Sequence, residues 1–113
     1  MRIYGLKNCD TCRKALRDLN AQGNDATLID VRETPLAAET RNRFWHAFGA
    51  ALLNTRSTTW RGLSEAERTR APLDLIAEHP TLMKRPVIEK QMGSETKLYI
   101  GWGAQTQSAL LSN

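Results

Sequence analysis

The sequence predicts an α/β domain: a four-stranded mixed sheet flanked by helices, with a helical insertion between the second and third strands. Three observations carry this. A strand–helix–strand pattern opens the chain over residues 2–31. Short helical patterns without a strand fill residues 34–83. Two β-rich runs separated by a Gly-Ser turn then lead into a last helix. At 113 residues the chain is expected to form one domain, 1–113, around a single core.

Residues 2–6, Arg2-Ile3-Tyr4-Gly5-Leu6, read as the first strand, and residues 10–22 as the first helix. Cys12, Ala15, Leu16 and Leu19 recur at the spacing of a buried helical stripe, with Arg13, Lys14, Arg17 and Asp18 off it. Gly23 follows as a C-terminal cap. Residues 26–31 are apolar on both faces, as in a buried strand. A strand, a helix and a strand in this order imply a right-handed crossover and a parallel pair.

Thr34-Pro35 is a helix-start signal, a capping hydroxyl followed by a first-turn proline, for a helix over about residues 36–48. Its apolar face is Ala37, Phe44, Trp45 and Phe48. Residues 50–62 read as a short helical turn followed by a polar loop rich in hydroxyls and arginines, which could hold an anion. Ser64 and Glu67 have the spacing of a capping box. The helix they start is ended or interrupted by Pro72. A short helix over 73–79 turns Leu73, Ile76 and Ala77 inward, and Pro80 restarts a helical turn. Pro86 cannot donate to a sheet ladder, so it belongs at the start of strand three, residues 87–89. Residues 97–100 form strand four, antiparallel to strand three across a turn over 91–96. The last helix spans about 104–111. This order is that of a thioredoxin-like fold with a helical insertion.

The chemistry concentrates in Lys7-Asn8-Cys9-Asp10-Thr11-Cys12-Arg13-Lys14. Both cysteines of the chain lie there, about one helical turn apart, at a helix start. The unpartnered N–H groups of that turn favour an anion and so lower a thiol pKa. Lys7, Arg13 and Lys14 add positive charge, and Asp10 opposes it. Cys12 lies on the apolar stripe, whereas Cys9 stands at the helix mouth. Cys9 is therefore assigned as the attacking thiolate and Cys12 as the resolving thiol. A structural disulfide would close only a four-residue loop, with a small stabilising return. Zinc needs about four ligands, and His46 and His79 are far apart without paired spacing, so no metal is expected.

Hydrophobic residues at 41% and charged residues at 25% fit a globular domain. No apolar run approaches the ~20 residues of a membrane span. Lys7 and Asn8 interrupt any signal-peptide pattern. Two cysteines in such a chain point to the reducing cytoplasm. The net charge of +4 favours anionic small ligands or acidic surfaces. No nucleic-acid motif is recognised, so no direct nucleic-acid partner is expected.

The sequence resembles the ArsC/Spx family of arsenate-reductase-like proteins, a thioredoxin-like group, and within it the YffB-type subgroup. The stretches that carry the resemblance run from Tyr4 to Leu16, Leu53 to Arg61, Glu78 to Ile88 and Leu98 to Trp102. The resemblance implies that Cys9 is the nucleophile, Arg85 an anion-binding arginine and Pro86 a cis-proline facing the active cysteine. Asn8, Arg13 and Arg56 complete the implied anion-binding set. The sequence departs from the glutathione-dependent arsenate reductases, which use three arginines. Asn54 and the Ile100–Gly101 region fall where two of these stand, and Cys12 is additional. The resemblance thus implies a thiol-disulfide oxidoreductase that binds no cofactor and uses glutathione as cosubstrate, with glutaredoxin as a possible partner. The alternative is an Spx-like redox-sensing regulator that binds the RNA polymerase alpha subunit. Arsenate reduction is the third reading.

Overall fold

The computed structural model describes residues 1–111. In chain order the elements are β1 (Arg2–Gly5), α1 (Asp10–Ala21), β2 (Thr27–Asp30), α2 (Ala38–Phe48), α3 (Thr58–Arg61), α4 (Glu65–Arg68), α5 (Pro72–Glu78), β3 (Val87–Met92), β4 (Glu95–Ile100) and α6 (Ala104–Leu111). Single 3₁₀ turns at Gly49–Leu52 and Pro80–Leu82 follow α2 and α5. The chain forms two compact units. One is Met1–Val31 together with the segment from Arg85 onward, and the other is Arg32–Lys84.

The first unit holds the whole sheet, in the order β2-β1-β3-β4. β1 and β2 are parallel, with Ile3 opposite Leu28 and Gly5 opposite Asp30. β3 is antiparallel to both β1 and β4. Ile3 and Ile88 pair across β1 and β3 on one face. They share a core with Ala15 and Leu19 of α1, Ala26, Trp102, and Leu110 of α6. The α1 stripe is buried at Cys12, Ala15 and Leu19, as its spacing predicts. This is the thioredoxin-like arrangement read from the sequence.

The hairpin is tighter than predicted. β3 and β4 pair out to Met92 and Glu95, leaving only Gly93-Ser94 in the turn. Gly93 takes φ +66°, which a two-residue turn with glycine at its first central position requires. The Thr96 hydroxyl donates to Gln91 Oε1 at 2.9 Å, so polar side chains extend the pairing beyond the apolar runs.

The second unit is the predicted helical insertion. α2 packs on α5, and the 3₁₀ turn after α2 lies against α2. Leu53 and Met83 form an antiparallel bridge. The Ser64 capping box is present, with bonds of 3.0 and 3.1 Å between Ser64 and Glu67. Pro72 opens α5 at its first turn instead of ending α4. Ser57 caps a further short helix, α3, inside the stretch read as loop.

Two readings in this unit are corrected. α2 does not start at Thr34-Pro35. It starts at Ala38, behind Ala37, which caps without a side-chain bond, and the Arg41 side chain reaches back to the Leu36 carbonyl. On α5, Leu75 and Ile76 are buried whereas Ala77 is exposed. The inward face is carried by Leu75 and Ile76, with Leu73 half-buried.

Candidate active site

β1 ends at Gly5, and the chain turns through Leu6, Lys7 and Asn8 into α1. The Cys9 N–H donates to the Leu6 carbonyl at 3.1 Å and closes this turn. The Lys7 N–H donates to Asp30 Oδ2 at 3.0 Å, tying the turn to the end of β2. Cys9 is the cap of α1, with extended backbone (φ −95°, ψ 121°), and its carbonyl accepts from the Arg13 N–H at 3.0 Å. The thiol thus stands where a capping oxygen normally stands. The position is also the usual one for a site in an open α/β sheet, beyond the carboxyl ends of the strands.

Cys9 is half-buried, and burial pushes its thiol up. Its pKa is nevertheless held below the ordinary value. The Cys12 backbone N–H, the Cys12 thiol and the Arg85 guanidinium each bond to the sulfur and favour its charged form. Cys12 is the opposite case. It has no exposed surface, and burial, aided by the charge of Cys9, pushes its thiol up to about 12. A backbone hydrogen bond from Leu6 and the charge of Arg85 offset this only in part. Both cysteines are free thiols.

Arg85 is half-buried and immediately precedes the buried Pro86, whose carbonyl accepts from the Gly101 N–H at 2.8 Å. The Arg85–Pro86 peptide bond is cis. The structure therefore brings Cys9, Cys12 and Arg85 together, with Pro86 beside Arg85. Asn8 is exposed in the turn before Cys9. Arg13 is exposed and donates to the Asp10 carboxylate at 2.7 Å. Positive charge acts on the Cys9 sulfur from Arg85, a source that the local sequence around Cys9 does not contain. Arg56 belongs to the second unit, exposed in a turn where its N–H donates to Asn54 Oδ1 at 3.1 Å. Among the described residues, no group of three or more His, Cys, Asp or Glu side chains could hold a metal.

Gly5 is the site residue that sequence reasoning missed. A Cβ on Gly5 would overlap the Cys12 Sγ and lie 3.3 Å from the Cys12 Cβ, with Leu28 Cδ1 at 3.8 Å. The last position of β1 must be glycine for the buried sulfur to fit against the strand. An isolated glycine inside a strand pattern, Tyr4-Gly5-Leu6, was the available signal for such a close approach.

A half-buried thiol whose charged form is favoured by an arginine and a second thiol at a helix start is equipped for nucleophilic attack on sulfur. No helix of the described residues is long and apolar enough to cross a membrane. The family model of the ArsC family matches residues 4–109. An uncharacterized protein of Haemophilus influenzae (strain ATCC 51907 / DSM 11121 / KW20 / Rd) is 42% identical over 92 residues, covering 76% of this chain and 80% of its own. An arsenate reductase of Yersinia enterocolitica is 31% identical over 98 residues, covering 81% and 70%. Among solved structures, the YffB protein superposes with a TM-score of 0.80 at 28% identity, covering 98% of both chains.

Proposed function

The chain belongs to the ArsC family, and from that premise we propose that it is a glutathione-dependent thiol-disulfide oxidoreductase of the cytoplasm. The observation that carries this is the balance at Cys9, whose thiolate is favoured against burial by the Cys12 N–H, the Cys12 thiol and Arg85. The Cys9 thiolate attacks one sulfur of a disulfide. The bond between Cys9 and that sulfur forms, the original S–S bond breaks, and the other half leaves as a thiolate. A second thiol, from glutathione or glutaredoxin, then attacks the substrate-derived sulfur, a new S–S bond forms there, and Cys9 leaves as a thiolate.

Glutathione suits this site because it is anionic and Arg85 stands beside the reacting sulfur. One guanidinium can hold a carboxylate through two parallel bonds. Arsenate on a cysteine spreads negative charge over several oxygens and calls for several such donors. In the unit that holds Cys9, Arg85 is the arginine that acts on its sulfur. Each charge-assisted bond is worth ~1.5–3 kcal/mol, against ~0.5–1.5 for a neutral one. A site short of two arginines thus supports arsenate chemistry poorly.

Incubation with oxidised glutathione followed by mass spectrometry is the test. A glutathione adduct should form on Cys9 and be absent in Cys9→Ser. Arg85→Ala should slow its formation. Absence of the adduct in both the unmodified protein and Cys12→Ser would overturn the reading, as would efficient arsenate turnover with glutathione and glutaredoxin.

A further inference from the structure

We propose that Cys12 is a positioning residue: its buried thiol donates to the Cys9 thiolate and holds it, and the Cys9 mixed disulfide is opened by a low-molecular-weight thiol from solution. The proposal rests on the reading of Cys9 as the attacking thiolate and concerns what Cys12 does for it.

The packing of Cys12 carries the argument. Its residue has no exposed surface. Its sulfur occupies the space that a side chain on Gly5 would fill, with Leu28 beyond. To resolve a mixed disulfide, Cys12 must first lose its proton. The charged groups that act on Cys12 are Cys9 and Arg85. Once Cys9 is in a disulfide it can no longer take a proton, and Arg85 remains a cation. Nearby, Asp10 pairs with Arg13, and Asp30 accepts from the Lys7 N–H. Among the described residues, both of these carboxylates are thus engaged away from Cys12. As a donor it is well placed, because its thiol and its backbone N–H both bond to the Cys9 sulfur. A thiolate from solution instead meets the half-exposed Cys9 end of the mixed disulfide. It attacks the substrate-derived sulfur, a new S–S bond forms there, and the Cys9 thiolate leaves.

The test compares wild type, Cys12→Ser and Cys12→Ala in two measurements. One is turnover of a small mixed disulfide with glutathione as reductant. The other is the pH profile of Cys9 alkylation. A serine hydroxyl can still donate to Cys9 and cannot resolve a disulfide. We therefore expect Cys12→Ser to turn over near the wild-type rate with an alkylation profile close to wild type. Cys12→Ala should move that profile to higher pH and slow neutral-pH turnover by about tenfold, the equivalent of one hydrogen bond of ~1.4 kcal/mol. If both variants stall alike with the Cys9 mixed disulfide accumulating, Cys12 is the resolving thiol and the proposal falls. An alkylation profile identical in all three proteins also overturns it, since a merely structural cysteine would leave the profile unmoved. Failure of both wild type and Cys12→Ser to form any mixed disulfide overturns the oxidoreductase reading itself, and this proposal with it.

Discussion

Arg85 offers the plainest test at the scale of the residue. Its guanidinium favours the charged form of Cys9, so its removal should raise the Cys9 pKa. In Arg85→Ala, the pH at which alkylation reaches half its maximal rate should move upward, and neutral-pH alkylation should slow several-fold. Arg85→Lys should recover part of the loss, because a lysine keeps the charge without the planar fork. An unchanged profile in Arg85→Ala would remove Arg85 from the site. Much of this site is legible in the sequence, because its reading rests on local spacing. Cys9 and Cys12 are one turn apart, and the apolar stripe of α1 says which one is buried. The electrostatics are less legible. Lys7 and Arg13 are close to Cys9 along the chain, yet Arg13 is engaged by Asp10. Arg85 reaches the sulfur from a segment 76 positions away, which only the β1–β3 pairing brings near.

At the scale of elements, Gly5 makes β1 and α1 a single packing problem. Gly5→Ala should destabilise by ~1–3 kcal/mol, because its Cβ overlaps the Cys12 sulfur. Most of that cost should vanish in the double variant Gly5→Ala/Cys12→Ala, where the sulfur is gone. Denaturant midpoints of the four proteins in this cycle measure the coupling, and additive effects would contradict the proposed overlap. In the helical insertion, Ser64→Ala should cost ~0.5–2 kcal/mol by removing the cap of α4. Amide exchange should quicken first in α4, and a change confined to the sheet would refute a local role. The elements were legible wherever a signal was local and unopposed. Ser64 with Glu67 started its helix as read, and the β1–α1–β2 start gave its parallel pair. Thr34-Pro35 was a local signal that tertiary structure overrode. The chain runs on without helix through Leu36, and the Leu36 carbonyl takes its bond from the Arg41 side chain. Strand ends escaped the reading for a related reason. Polar residues such as Gln91 and Thr96 pair across the hairpin without an apolar pattern to mark them.

For the whole molecule, the two cysteines pull stability in opposite directions as pH changes. Cys9 has a folded pKa below its unfolded value. Its contribution is therefore present above the unfolded pKa and is lost as pH falls through the folded one. Cys12 has a folded pKa of about 12 against an ordinary value of 9.0. Its contribution is complete below that ordinary value and is lost as pH rises toward about 12. In this window the unfolded chain has released the Cys12 proton and the folded chain still holds it. Stability then falls with pH, by at most ~1.4 kcal/mol per pH unit from this group. Lysines and tyrosines also titrate there, so the informative quantity is the difference between proteins that share them. Cys12→Ser removes the titrating thiol and leaves those groups in place. Denaturant midpoints taken from neutral pH to well above 9 should fall more steeply in wild type than in Cys12→Ser. Cys9→Ser should instead keep the alkaline decline and lose the rise that precedes it. Parallel curves for wild type and Cys12→Ser would mean that Cys12 ionises in the folded protein as readily as in the unfolded chain. That result would be incompatible with the buried, protonated donor on which the Cys9 thiolate depends.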